Sequence, residues 1–346
     1  MHEAQKRKKI APVARRGGML EFAEVKLQKG RPMSLDILIQ MDPVDTIDIK
    51  GDTSFAMMLE AQRRGHNISS YNAGDLSLRD GKLWTRAISL QLRDEAGNHF
   101  TAEAPVAREV ATADVVLMRQ DPPFNMNYIT ATYLLETVAS SVLVVNDPAA
   151  VRSAPEKLLV GQFPELIPPT LVSANAEDIR NFHEAHKDIV VKPLYGNGGE
   201  GVFRIDEGGA NLNVLLDMFA RQYNALPLVA QKFLPQVFDG DKRILILDGK
   251  IVGAIDRFPP PGEVRANMHV GGKAVSAELN ERDAFICDAV GDELRKRGLL
   301  FAGIDVIGGY LIEINVTSPT GIREVARFGG EDIAALFWDC IEAQVG

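Results

Sequence analysis

Cysteine is scarce: Cys287 and Cys340 are the only two in 346 residues, and they lie far apart. That excludes a disulfide framework and a cysteine-rich zinc site, and it fits a reducing compartment. No apolar run approaches the roughly 18 residues of a membrane span. Positive charge is not in excess either. Lys and Arg number 38 against 47 Asp and Glu, a net −9 that argues against a nucleic-acid binder. The G-x-x-x-x-G-K-[ST] phosphate loop is missing, and no nucleophile–His–Asp arrangement stands out.

What is there is an ordinary globular composition, 46% hydrophobic and 25% charged. The length corresponds to two domains, or three small ones, at about 150 residues each. Residues 1–34 stand apart, with nine basic and three acidic side chains, while the remainder carries 29 basic against 44 acidic. This segment lacks the apolar stretch of a secretory signal and has no serine before Ser34. It reads as a disordered basic extension.

Residues 35–41 read as a strand, 54–65 as a helix, and 67–71 and 87–92 as further strands. Residues 114–118 (DVVLM) form an apolar run suited to a strand covered on both faces. With a helix over 129–137 and a strand over 142–145, this alternation predicts a βαβ-type α/β first domain over 35–150. The rest reads as α+β. Residues 176–186 form a polar helix, in which His183 and His186 are expected on a solvated face. Strands are expected over 189–192, 202–205 and 228–233, and a helix over 212–222. Two hairpins follow, 243–247 with 251–256 and 301–307 with 310–316, separated by a Gly/Pro-rich stretch, 259–272, and a helix over 280–297. Cys287 and Cys340 read as core residues.

Two features carry chemistry. Residues 196–201 (GNGGEG) match G-x-G-x-x-G, but an alternating, strand-like segment follows where a dinucleotide-binding loop needs a helix. A strand–glycine loop–strand is the shape of a flap over nucleotide phosphates, with Lys192 just before it to reach a phosphate. The second feature is FAGIDVIGGYLIEINV, 301–316, where Asp305, Glu313 and Asn315 interrupt apolar strands. Two carboxylates and an amide oxygen are hard ligands for Mg²⁺ beside nucleotide phosphates. A two-residue loop at Gly308-Gly309 places Asp305 opposite Ile312, on the wrong face. A three-residue loop places it opposite Glu313, so the three-residue loop is expected.

A glycine flap after a K-P strand and an acidic hairpin ending in E-I-N resemble the ATP-grasp superfamily. Longer segments are closer to the prokaryotic-type glutathione synthetase family: MDPVDTIDIKGDTSFAMMLEAQRRGH (41–66), LMRQDPPFN (117–125), VVKPLYGNGGEGVFRI (190–205), DGDKRILILDGKIV (239–252) and IDVIGGYLIEINVTSPTGIRE (304–324). The resemblance runs from Leu35 nearly to the C-terminus. It implies an α/β N-terminal substrate domain (35–150) and two α+β ATP-grasp subdomains (151–235 and 236–346). It implies ATP-dependent ligation of γ-L-glutamyl-L-cysteine and glycine through an acyl phosphate. The cofactor would be Mg²⁺, two ions with ATP, or Mn²⁺ in its place. The enzyme would be cytoplasmic and homotetrameric. Another ATP-grasp carboxylate–amine ligase, or a silent nucleotide-binding protein, is the alternative.

Carried over by residue, the resemblance places Lys157 and Lys192 on the nucleotide and Gly196, Gly198, Gly199 and Gly201 in the flap. Gln231, Lys232, Phe233 and Leu234 would form the adenine hinge, and Asp241 would accept from the ribose hydroxyls. Arg243 would stabilise the acyl phosphate. Asp305, Glu313 and Asn315 would hold the metal. Asp42, Ser54, Arg119 and Asp121, with Asn315, Ser318 and Thr320, would face the dipeptide. Arg265, Asn267, Gly271 and Gly272 would belong to a lid over 259–272. Gln120, Tyr195, Lys232 and Gly321 depart from the family's usual residues.

Overall fold

The computed structural model describes residues 34–346 apart from 223–224 and 269–270. Residues 1–33 of the expected extension, and two positions of the expected lid, lie outside the described residues.

The first sheet holds eight strands: β1 (Asp36–Gln40), β2 (Asn67–Tyr71), β3 (Ser77–Arg79), β4 (Lys82–Leu92), β5 (Phe100–Ala102), β6 (Val106–Glu109), β7 (Val115–Met118) and β8 (Leu143–Val145). Their order is β3-β4-β2-β1-β7-β8, with β5 and β6 also paired to β4. β1 runs parallel to β2 and β7, and β7 to β8, as the βαβ reading required. Helices α1 (Thr53–Arg63) and α2 (Met126–Glu136) connect strands of this sheet, and α3 (Pro148–Arg152) follows β8. α1 starts one residue before the expected position because the Asp52 carboxylate caps it, accepting from the Phe55 N–H at 2.6 Å. β4 is longer than expected; its first half alternates buried and exposed residues against β3 and β6.

The second sheet is antiparallel, β11-β10-β12-β9, built from β9 (Thr170–Ser173), β10 (Ile189–Pro193), β11 (Phe203–Ile205) and β12 (Leu228–Lys232). It carries α4 (Ala176–His186) and α5 (Leu212–Gln222). His183 corrects the solvated-face reading. It is buried, with Nε2 2.7 Å from the Asp206 carbonyl, because α4 turns that side toward the loop after β11.

The third sheet is β15-β14-β13-β16-β17, with β13 (Asp241–Leu247), β14 (Lys250–Phe258), β15 (Lys273–Ser276), β16 (Phe301–Ile307) and β17 (Tyr310–Asn315). Helices α6 (Glu281–Arg297), α7 (Ile322–Arg327) and α8 (Ile333–Val345) belong to it. Cys287 is buried in the core on α6, and Cys340 is half-buried on α8.

Two apolar cores join the first and third sheets. Leu38 and Val116 pack in one core with Ile244 and Ile304, while Ile37 and Val115 pack in another with Leu245 and Phe301. Strand alternation therefore sends the two faces of β1 into different cores. The second sheet has its own core, around Ile189, Val191, Leu216 and Phe219. Asn146, just after β8, ties the first sheet to the third. Its amide donates to the carbonyls of Phe301 and Val316, each at 2.8 Å, and its oxygen accepts from the Phe301 N–H at 2.9 Å.

Candidate active site

A cleft opens between the second and third sheets. It brings together Lys157, Lys192, Gly196, Gly198, Gly199, Gln231, Lys232, Phe233, Leu234, Asp241, Arg265, Asn267, Asp305 and Glu313. Gly201, Arg243, Gly271, Gly272 and Asn315 do not line it. The dipeptide set does not line it either.

The glycine segment runs from β10 into β11, a strand–loop–strand with no helix to follow. Gly198, Gly199 and Gly201 take φ of +60°, +83° and +67°, which side chains disfavour. Arg265 and Asn267 meet this flap. Arg265 Nη1 donates to the Gly199 carbonyl at 3.3 Å, and a Cβ on Gly199 would stand 2.8 Å from Asn267 Oδ1. Gly272 serves the lid itself, where an added Cβ would strike the Ala266 carbonyl.

Beneath the flap, Lys157 Nζ and Lys192 Nζ each lie 3.4 Å from Glu313 Oε1. Lys157 also donates to the Gly196 carbonyl. Burial pushes the Lys192 ammonium pKa down, Lys157 adds to this, and Glu313 opposes it. Two ammonium groups sharing one carboxylate oxygen carry spare positive charge for a polyphosphate.

Deeper in, Arg243 grips Asp305 with Nε at 2.5 Å and Nη2 at 3.0 Å. Arg257 Nη2 touches Asp305 at 2.9 Å and Asp241 at 2.8 Å. Burial alone would raise the Asp305 pKa, but Arg243 and Arg257 outweigh it and hold the carboxyl well below the usual range. Asp241 goes the other way. Burial pushes it up to about 6 against the pull of Arg257, with Asp305 adding repulsion. Arg257 was not found from sequence: in an alternating strand it reads as a surface charge, and its burial depends on carboxylates from two other strands.

The acidic hairpin corrects the loop reading and keeps its consequence. Gly308 and Gly309, at φ +56° and +79°, close a two-residue turn with Ile307 opposite Tyr310. Positive φ at both positions is what such turns need. A bulge between Asp305 and Val306 then absorbs Ile312, so Asp305 faces Glu313 after all. Asn315 Nδ2 donates to the Gly303 carbonyl at 3.2 Å and lies 3.4 Å from Asp305 Oδ2. Among the described residues, no group of three or more His, Cys, Asp or Glu has metal-binding spacing. The candidate set is two carboxylates and an amide oxygen, whose hard donors fit Mg²⁺.

Residues expected to face the dipeptide form a second cluster. Arg119, buried, donates to Ser54 Oγ and to the Pro319 carbonyl, each at 3.0 Å. Ser318 Oγ donates to the Arg119 carbonyl at 3.3 Å, and Asp42 accepts from the Asp121 N–H at 3.1 Å. Arg243 Nη1 reaches the Thr320 carbonyl at 3.4 Å, connecting this cluster to the cleft. Glu156, another residue not found from sequence, accepts from Thr317 Oγ1 at 2.8 Å. Burial raises the Glu156 pKa, opposed by Lys157.

A glycine flap over paired lysines, facing a carboxylate-bearing antiparallel hairpin, is the architecture of ATP-grasp ligases. Solved structures with this fold include the D-cycloserine synthetase DcsG, at TM-score 0.65 and 18% identity, covering 90% of this chain and 100% of that one. The ATP-grasp ligase PsnB complexed with minimal precursor, Mg and ADP superposes at TM-score 0.58 and 16% identity, covering 90% and 97%. Residues 35–152 match the family "Prokaryotic glutathione synthetase, N-terminal domain", and residues 156–330 match "Prokaryotic glutathione synthetase, ATP-grasp domain". The glutathione synthetase of Mesorhizobium japonicum is 52% identical over 90% of this chain and 99% of its own length. Those of Brucella melitensis and Pseudomonas aeruginosa are 49% and 43% identical over 90% of this chain, covering 100% and 99% of their own lengths. The chain belongs to the prokaryotic glutathione synthetase family and is an ATP-dependent ligase.

Proposed function

We propose that this chain joins γ-L-glutamyl-L-cysteine to glycine, converting ATP to ADP and phosphate and releasing glutathione. The observation that carries the reading is the convergence of Lys157 and Lys192 on one Glu313 oxygen beneath the flap, in a chain about half identical to glutathione synthetases over 90% of its length.

A carboxylate resists nucleophiles, so the cysteinyl carboxylate first takes the γ-phosphoryl group of ATP. The glycine amine then attacks the acyl carbon and phosphate leaves. The protein's contribution is to position the reactants and neutralise charge. Lys157, Lys192 and the flap N–H groups hold the phosphates. Residues 231–234 read the adenine edge, and Asp241 reaches the ribose. Arg243, already placed on Asp305, turns its planar guanidinium to the phosphoryl oxygens. Mg²⁺ bound by Asp305, Glu313 and Asn315 would neutralise phosphate charge. The lid residues Arg265 and Asn267 seal the flap and exclude water from the acyl phosphate.

The same reading includes a homotetramer, to be checked by light scattering, and a cytoplasmic location. Among the described residues no helix is long and apolar enough to cross a membrane. The test of the reaction is phosphate release with ATP, Mg²⁺, γ-glutamylcysteine and glycine, each omitted in turn. Release that needs both amino components, with a product at the mass of glutathione, supports the reading. ATP binding with no such release overturns it.

A further inference from the structure

Beside the nucleotide cleft lies a second, smaller recess, lined by Phe124, Glu156, Tyr195, Gly196, Asn197 and Thr317 among others. Gly196 and Asn197 line both spaces, so the recess borders the flap where the phosphoryl group is transferred. One wall is aromatic, with the Phe124 and Tyr195 rings stacked at 6.2 Å. The other wall holds the Glu156 carboxylate, whose only side-chain hydrogen bond among the described residues is from Thr317 Oγ1.

The neighbouring cation does not pair with Glu156: Lys157 directs its ammonium to Gly196 and Glu313, into the other space. Behind Phe124, the Tyr128 hydroxyl is buried without a partner, and Glu156 is the foremost charge acting on it. A carboxylate with no direct ion pair among the described residues, set beside aromatic faces and a buried hydroxyl lacking a partner, is complementary to a small ammonium group.

We propose that this recess is the subsite for the primary ammonium of the acceptor amino acid, with Glu156 as its counter-ion. The inference rests on the ligase reading above and deepens it. The recess is much smaller than the cleft and adjoins the transfer point, which suits the acceptor better than the far end of the dipeptide. The amine arrives protonated and gives one proton to water before attack; the second passes to the departing phosphate as the new C–N bond forms and the acyl C–O bond breaks. Glu156 holds the ammonium in place until then.

The test compares the full-length enzyme with Glu156→Gln, using either glycine or hydroxylamine, whose nitrogen is uncharged at neutral pH, as acceptor. In Glu156→Gln the KM for glycine rises at least about ten-fold, as expected for losing a hydrogen bond to a charged group. Hydroxamate formation falls much less, and KM for ATP and for γ-glutamylcysteine hold. Thr317→Val, which leaves the carboxylate and removes its orienting bond, gives a smaller rise in the same KM and covers the case of an unfolded Glu156→Gln. An unchanged glycine KM in either folded variant overturns the proposal. So does an equal loss with both acceptors, or a rise confined to γ-glutamylcysteine, which would give the ammonium to the donor. A wild-type enzyme that makes neither glutathione nor hydroxamate defeats the ligase reading instead.

Discussion

Asp305 faces Glu313 across the β16–β17 hairpin although an even, two-residue turn joins the strands, because the bulge at Ile312 resets the register. That places the most heavily paired carboxylate of the site under two arginines. Removing its charge strips buried Arg243 of its carboxylate and leaves Arg257 with Asp241 alone. Asp305→Asn is expected to lose about 3 kcal/mol of stability, measured by urea unfolding, and to lower turnover at least about a hundred-fold.

Asp241 makes a pH-dependent contribution of known sign. Its pKa is raised on folding from 3.8 to about 6, chiefly by burial. A carboxyl of this kind favours the folded state while protonated, and the contribution is lost as pH climbs through about 6. In denaturation midpoints measured from pH 3 to 8, the wild type should lose ground to Asp241→Asn between about pH 4 and about pH 6, with the difference level on either side. A wild type that gains on Asp241→Asn as pH rises through this window would contradict this.

Gly199→Ala tests the contact between flap and lid. The residue sits at φ +83°, and its Cβ would press on Asn267 Oδ1. The left-handed conformation costs about 1 kcal/mol, too little to unfold the protein. The effect should appear as weaker ATP binding in calorimetry and lower turnover, with the melting temperature nearly unchanged.

Asn146→Ala removes three hydrogen bonds that link the first and third sheets and leaves the Phe301 and Val316 backbone groups without partners. A loss of about 3 kcal/mol is expected, read from thermal or urea unfolding. KM for ATP should hold at a temperature where the variant is folded, since Asn146 does not line the cleft.

Both family matches begin at or after residue 35. Deleting residues 1–33 is expected to leave kcat/KM for all three substrates unchanged in steady-state assays.

Much of this site was legible because its signals are local. The flap announces itself through four glycines within six residues, and the lysine sits on the preceding strand. Asp305, Glu313 and Asn315 break runs that are otherwise apolar. What was not legible depends on distant partners. Arg257 belongs to an ordinary alternating strand until Asp241 and Asp305 flank it. Glu156 precedes a conspicuous lysine and looks like its surface companion. His183 shares a polar helix face with residues that stay exposed. The hairpin was expected to close through a three-residue loop, because nothing local in the sequence marks the bulge that lets a two-residue turn keep Asp305 opposite Glu313. α7 and α8 went unassigned; α8 is apolar around much of its circumference, so it lacks the one-sided pattern that marks a surface helix.

The separate core of the second sheet implies unequal cooperativity within one chain. The first and third sheets share two interiors and are sewn together by Asn146, so they should lose structure in concert. The second sheet, which carries the flap, holds only its own interior and can open at a lower free-energy cost. In native-state amide exchange its protons would form a faster class, and a nucleotide bridging the two bodies would slow that class most. The binding energy of the substrate then does a second job: it brings the weaker body up to the stability of the stronger.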